Sequence, residues 1–175
     1  MMLPRLLLSC SLALLATACT RETTIADHDG KALVDALAAA QSGTGPHRII
    51  LARRGSYVLS SPSETGLLLP SITGELTIEG NGAEIRSYTD GAVALLEVGR
   101  EGNVSLRDLA LAEGSDGAER VSGTVLNYGE LLLDNARLHD NFVAHGVNGV
   151  LNLGRGRIEG ETASMLVRQA GRPAP

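Results

Sequence analysis

Short alternations of apolar and polar residues recur along most of this chain at offsets of 25 to 28 residues. Residues 125–135 (VLNYGELLLDN) and 150–160 (VLNLGRGRIEG) match at five positions, each 25 apart. A strand advances about 3.3 Å per residue, so 25 residues make about three short strands with corners. A repeat of this kind predicts stacked coils that bond to the coils above and below. Fainter copies lie upstream at offsets of 27 and 28, in the sets Leu76/Ile78/Ala83, Val104/Leu106/Leu111 and Leu131/Leu133/Leu138.

One segment follows a helical period instead. Leu33, Val34, Leu37 and Ala40 form a single apolar stripe, which predicts a helix from Gly30 to Ser42. Asp29 is placed to cap its start and Gly43 to end it. Because the first coil of a solenoid has an open apolar end, we expect the helix to cover it. Beyond this helix, Gly, Asn, Asp and Ser separate the predicted strands, which are 48–52, 56–60, 67–69, 75–79, 84–87, 95–98, 104–111, 124–128, 131–138, 150–153 and 157–159.

The arrangement resembles secreted bacterial right-handed parallel β-helix proteins of the pectin-lyase-like class with an N-terminal helix. The resemblance rests on residues 32–40 (ALVDALAAA), 48–51 (RIIL) and 69–80 (LPSITGELTIEG) and covers residues 25 to 160. It implies an all-β, right-handed parallel β-helix solenoid of about three to four coils with a capping α-helix. The predicted domain is 30–170, followed by a tail at 171–175. This fold hosts lyases, hydrolases, adhesins and passengers, so it leaves the function open.

The N-terminus reads as a targeting segment. Arg5 precedes an apolar run, Leu6 to Ala16, that is too short to span a membrane as a mature helix. The following residues, Ala16-Thr17-Ala18-Cys19, resemble the lipobox of bacterial lipoproteins, although the family prefers leucine where Ala16 stands. The resemblance implies a signal peptide at 1–18, lipidation of Cys19 and a polar tether at 19–29. A plain secretory signal is the alternative.

Lipidation of Cys19 implies membrane attachment in the bacterial envelope. Thr20 follows the cysteine where the family's inner-membrane retention signal has aspartate, which favours the outer membrane. Cys10 lies inside the signal, so the mature chain would hold no free thiol and no disulfide. The formal charge is −5 and the one basic pair is Arg53-Arg54, which argues against a nucleic-acid partner.

The repeat offsets bring four charged residues to one expected face: Glu79, Arg107, Asp134 and Glu159. If the 25-residue offset holds, Asp134 and Glu159 are adjacent like charges. Such an acidic pair is where a glycosidase, or a lyase that uses calcium, would place its carboxylates. The alternative is a solvated face with arginines nearby. Calcium is expected only if the chain is an enzyme, and otherwise no cofactor is expected.

Two histidines form a second cluster. His139, Asp140 and His145 lie within seven positions and could bind a metal or move protons. Their spacing matches no zinc signature, so a structural corner is the alternative. Asn127 and Asn152 occupy equivalent positions and predict a structural ladder of amide hydrogen bonds.

The leading functional hypothesis is a non-catalytic envelope module that binds or supports a partner, either a carbohydrate or an envelope protein. The second is a polysaccharide lyase or glycoside hydrolase with Asp134 and Glu159 as acid and base. Only three tyrosines and one phenylalanine are present to stack on sugars. Met165, Leu166 and Val167 could fold over the last coil; otherwise its exposed end predicts self-association through the C-terminal coil.

Overall fold

The protein is mostly β-structure with one helix. The computed structural model describes residues 20–42, 45–88, 94–113, 124–139, 149–153, 157–159 and 166–170. The helix α1 spans Gly30–Ser42. The strands are β1 Arg21–Ile25, β2 His47–Leu51, β3 Ser56–Leu59, β4 Glu75–Ser87, β5 Leu96–Val98, β6 Asn103–Glu113, β7 Val125–Asn127, β8 Glu130–Asp134, β9 Arg137–His139, β10 Gly149–Leu153, β11 Arg157–Glu159 and β12 Leu166–Ala170.

Every strand pairing among the described residues is parallel. The larger sheet runs β1-β2-β4-β6-β8-β11, with β3 beside the second half of β4 and β9 beside the second half of β6. The smaller sheet runs β5-β7-β10-β12. From β4 onwards the chain passes back and forth between the two sheets, with β8 and β9 consecutive in the larger one, and each return adds the next neighbour. Paired residues are 25 to 29 positions apart throughout, except where β12 joins β10 at a spacing of 17.

The inward-facing positions of the strands form one core. Along β4 the burial pattern alternates strictly on each side of a break, and Leu76, Ile78 and Ile85 are at most 1% exposed. Their register partners on β6, which include Val104 and Leu106, are also buried. This alternation is what a strand buried on one face requires, since successive side chains point to opposite faces.

Helix α1 lies against the N-terminal end of this core, as predicted. Leu33 and Leu37 are fully buried, and Val34 and Ala40 pack against the core in part. The Asp29 carboxylate accepts the Ala32 N–H at 2.9 Å, which satisfies one of the free donors of the first turn. The predicted helix bounds and the Asp29 cap are therefore confirmed, whereas Gly43 lies outside the described residues.

The buried side chain of Tyr57 links the first strands by hydrogen bonds. Its ring is fully buried, and its hydroxyl donates to the Ile25 carbonyl at 3.1 Å and accepts the Ala52 N–H at 2.9 Å. Burial raises the pKa of the Tyr57 phenol above its ordinary value. One phenol therefore links β1 to the turn after β2.

Several expectations about the elements were wrong in detail. Residues 21–25 of the expected tether form β1, the edge strand of the larger sheet, because they pair with β2. The two strands expected at 75–79 and 84–87 are one strand with an irregularity between Glu79 and Ala83, so Ala83 pairs with Leu109 and not with Leu111. Conversely, the strand expected at 131–138 is divided into β8 and β9.

At the C-terminal end, Leu166 and Val167 belong to β12, an edge strand that pairs with β10, and so do not fold over the core as a cap. Met165 lies outside the described residues. Self-association through this end stays a prediction.

Glycines at one corner allow successive turns to approach closely. A Cβ atom at Gly129 would lie 2.3 Å from the Gly99 carbonyl oxygen and 2.4 Å from that of Gly102. One at Gly102 would lie 2.4 Å from the Ile72 oxygen. Backbone atoms cannot yield as a flexible side chain can, so these positions tolerate only glycine.

Gly129→Ala should therefore lower the free energy of unfolding by about 1–3 kcal/mol, the usual cost of overpacking. Gly74→Ala is the matched control, because a Cβ there meets nothing within 4 Å. Urea titration followed by circular dichroism measures both. Equal stability of the two variants would contradict the close packing of this corner.

Candidate functional site

A ladder of charged side chains crosses the outward face of the larger sheet. Arg48 Nη1 lies 3.1 Å from Glu22 Oε2, and Arg48 Nη2 lies 3.4 Å from Glu79 Oε1. Arg107 Nη1 reaches the same Glu79 oxygen at 3.3 Å. The Glu79 side chain is only 19% exposed, so it is the most enclosed member. The predicted neighbours Glu79 and Arg107 are thus confirmed as an ion pair, extended by Arg48 and Glu22.

Asp134 lies at the end of this face. It is in register with Arg107, as expected, but no ion pair joins the two side chains. Asp134 is exposed. Glu130 lies at the start of the same strand, four residues earlier, and is also exposed.

The expected neighbour of Asp134 is displaced. Glu159 on β11 pairs with Leu132, and Ile158 pairs with Leu131, so the offset between these strands is 27 and not 25. The 25-residue offset does hold in the smaller sheet, where Val125 pairs with Val150. The segment between β10 and β11 is therefore two residues longer than the corresponding segment between β7 and β8. The register thus contradicts the expectation that Asp134 and Glu159 are direct neighbours.

The histidine cluster is described only in part. His139 ends β9 and pairs with Ala112 of β6. Asp140 and His145 lie outside the described residues, and a metal-binding or proton-transfer role for this cluster stays a prediction. Cys19 also lies outside them, as do the other residues of the expected signal segment and the expected tail at 171–175.

A column of left-handed residues marks the corner where each outward face turns. Arg54, Asn81, Asp108 and Asn135 have φ values of 53°, 53°, 46° and 50°. They recur every 27 residues. Asn and Asp adopt this conformation more readily than other residues with a Cβ, because their short polar side chains bond locally. The corner therefore depends on residue type as well as on packing.

Hydrogen bonds connect this column from strand to strand. Asn81 Nδ2 donates to the Leu51 carbonyl at 2.9 Å, and Asn135 Nδ2 donates to Asp108 Oδ1 at 2.8 Å. Beside the last pair lies an open depression of about 110 Å³ lined by Gly82, Ala83, Asp108, Leu109, Ala110, Asn135 and Arg137. Three of its lining residues are glycine or alanine, and its polar side chains carry one carboxylate, one amide and one guanidinium.

The predicted asparagine pair lies in the smaller sheet. Asn127 is fully buried and in register with Asn152, which confirms their equivalence. Asn127 Oδ1 accepts the Gly129 N–H at 3.2 Å, so its amide closes the turn that leads into β8. This contact supports a structural role for Asn127.

The 27-residue column was missed in the sequence, although its signal is present. Asn81, Asp108 and Asn135 are polar turn-forming residues at equal spacing, each just after a run of apolar alternation. The apolar matches that define the repeat do not include these positions. The first member of the column is also Arg54, whereas the other three are Asn or Asp. A search for recurring Asn and Asp alone would have found it.

The described residues contain no group of three or more His, Cys, Asp or Glu side chains placed to hold a metal ion. Within those same ranges no helix is long and apolar enough to cross a membrane. A comparison with family models, curated proteins and solved structures finds no match to this chain.

The corner column makes a testable claim about stability. Asn135→Ala removes the donor to Asp108 and places an ordinary side chain at φ 50°. It should cost about 1–3 kcal/mol, from the lost bond and the left-handed strain together. Asn135→Gly loses the bond but removes the strain, so it should cost about 1 kcal/mol less than alanine. Thermal or urea unfolding of both variants decides this. If the alanine variant were the more stable of the two, the left-handed corner would be refuted.

Proposed function

We propose that this chain is an envelope lipoprotein built as a short right-handed parallel β-helix, which presents its polar outward face without catalysing a reaction. The observation that carries the proposal is the register of β11. It pairs Glu159 with Leu132, so Asp134 and Glu159 are diagonal neighbours and not the directly opposed carboxylates that a retaining glycosidase would need.

The β-helix part of the proposal is supported by the pairing pattern. All described pairings are parallel, and the chain alternates between two sheets as it adds neighbours. A strand that returns in parallel to the same sheet does so with right-handed connections in almost all proteins. Helix α1 and the exposed polar residues of β1 then act as the N-terminal cap, as terminal repeats of solenoids do.

The remaining carboxylates of the face also support presentation over catalysis. Glu79 is held between Arg48 and Arg107 in two ion pairs that occupy its carboxylate. Glu130 and Asp134 project from one strand four residues apart, roughly 13 Å along it by the usual rise. That separation is wider than the roughly 5–9.5 Å of glycosidase carboxyl pairs. The face would therefore present a regular array of polar side chains to a carbohydrate or an envelope protein.

The anchor is tested by Cys19→Ala. If Cys19 carries the lipid, the variant should leave the membrane fraction and appear in the soluble fraction, because the acyl chains supply the attachment. Cys10→Ala is the matched control and should stay with the membrane. Fractionation of bacteria that express each chain, followed by mass spectrometry of Cys19, gives the readout. Membrane retention of the Cys19 variant without any acyl mass on the wild type would refute the anchor.

Catalysis is tested with Asp134→Asn. The proposal predicts that neither the wild type nor this variant degrades polysaccharides, with or without calcium. It further predicts that substitutions on the polar face change the binding of glycans on an array, or change which envelope proteins crosslink to the chain. Glu64→Gln, in an exposed loop away from the face, is the control. Cleavage by the wild type that disappears only in Asp134→Asn would establish the enzyme alternative instead.

A further inference from the structure

The first strand begins almost immediately after the cysteine that is expected to carry the lipid. Residues 21–25 form β1 and pair with β2 along its whole length, so they do not act as free tether. Only Thr20 separates Cys19 from Arg21. Consecutive Cα atoms are 3.8 Å apart, so the Cα atoms of Cys19 and Arg21 lie at most about 7.6 Å from each other.

Hydrogen bonds fix β1 to the stack at both of its ends. The Arg21 N–H donates to the Pro46 carbonyl at 3.0 Å, and the Ile25 carbonyl accepts the Tyr57 hydroxyl at 3.1 Å. The short link to Cys19 therefore cannot lengthen unless β1 separates from β2.

β1 is also the edge strand of the larger sheet, and it lies with α1 at the N-terminal end of the stack. Each further level is about 4.8 Å away. β8 is four strands from β1 in the order of the sheet, which places Glu130 roughly 19 Å from the level of Arg21. A lipid on Cys19 would therefore bring one end of the stack to the membrane surface.

The surface of this end suits a lipid headgroup layer, because its carboxylates are already engaged. Their partners are Arg48 for Glu22, the Ser56 N–H for Asp27, the Ala32 N–H for Asp29 and Lys31 for Asp35. Further along the exposed side of α1 the side chains are uncharged, at Ala38, Ala39 and Gln41. No unpaired carboxylate of α1 would therefore be pressed against the lipid.

The corner at which the strands of the larger sheet begin is chemically different. Glu75, Glu101 and Glu130 are exposed there and form no ion pair within the described part of the chain. Arg100 offsets only one of these charges. A stack lying on this corner would bring the carboxylates against anionic headgroups and strip their water, and both effects are unfavourable. The N-terminal end is therefore the favoured contact.

We propose that the N-terminal end of the stack rests directly on the lipid surface, with β1 and α1 at the headgroups and the later levels rising from the membrane. The inference rests on the proposed function, since it requires the lipid on Cys19. The charged ladder that begins at Glu22 then lies at successive heights above the lipid, and Asp134 is roughly 19 Å further out than the first level.

The test uses the full-length chain, acylated in bacteria and reconstituted into vesicles of phosphatidylethanolamine and phosphatidylglycerol. Cys10→Ser and acylation of Cys19 leave one introduced thiol for a fluorophore, either Ala39→Cys on the exposed side of α1 or Glu130→Cys at the start of β8. A lipid with a nitroxide on its headgroup quenches the fluorophore at contact range. The Ala39 probe should lose at least about half of its fluorescence, while the Glu130 probe, about four levels higher, should lose little.

A length change provides the second arm. About ten Gly and Ser residues inserted between Thr20 and Arg21 add a flexible link of roughly 17 Å, which should at least halve the quenching of the Ala39 probe. The same segment added after Pro175 is the matched control and should change nothing.

Mass spectrometry of Cys19 separates this proposal from the anchor. If Cys19 is acylated, equal quenching at the two probes, stronger quenching at Glu130, or no response to the inserted link would overturn the resting position and leave the anchor intact. Absence of the acyl mass would overturn both.

Discussion

The backbone hydrogen bonds between parallel strands 25 to 29 residues apart are the constraint on which the rest of this structure depends. A strand in this protein satisfies its donors and acceptors almost only through the strands before and after it in the stack. Register is therefore set over the whole chain, since a slip of one residue would turn every buried side chain outward. The buried columns, the charged ladder and the corner residues all follow from that single alignment.

Differences in length between successive turns of the chain are accommodated at the corners. Glycine at 102 and 129 lets one turn lie against the next, and left-handed residues redirect each outward face at 27-residue intervals. Between Glu79 and Ala83 the chain carries two more residues than β6 does at the same place, and the register recovers immediately afterwards. Extra length is thus tolerated at a corner, while the strands on either side keep their pairing.

Much of the fold could be predicted from the sequence because the same apolar alternation that buries the core also reveals the repeat. The helix was predicted to the residue, since Leu33 and Leu37 follow its period and Asp29 marks its start. β1 could not be recognised, because residues 21–25 are almost all polar and bury only Ile25. The strand β1 forms because it pairs with β2, and the local composition of residues 21–25 does not reveal that pairing.

The candidate site was predictable only in part. Glu79 and Arg107 were placed together correctly because both follow the upstream offset of 28. Asp134 and Glu159 were not, because the offset of 25 measured on Val125 and Val150 belongs to the smaller sheet. Two residues in the connection to β11 restore an offset of 27 in the larger sheet. A repeat read from sequence gives one spacing per match, whereas a stacked structure can hold different spacings in different sheets.

The most direct measurement is disulfide trapping between β8 and β11 in a chain carrying Cys10→Ser and Cys19→Ser. Leu132→Cys with Glu159→Cys places two thiols in register, within the Cα separation that a disulfide accepts. Asp134→Cys with Glu159→Cys is offset by two residues. The account predicts rapid bond formation in the first pair and little in the second. Efficient trapping of Asp134 with Glu159, and none of Leu132 with Glu159, would contradict the register and make the two carboxylates direct neighbours.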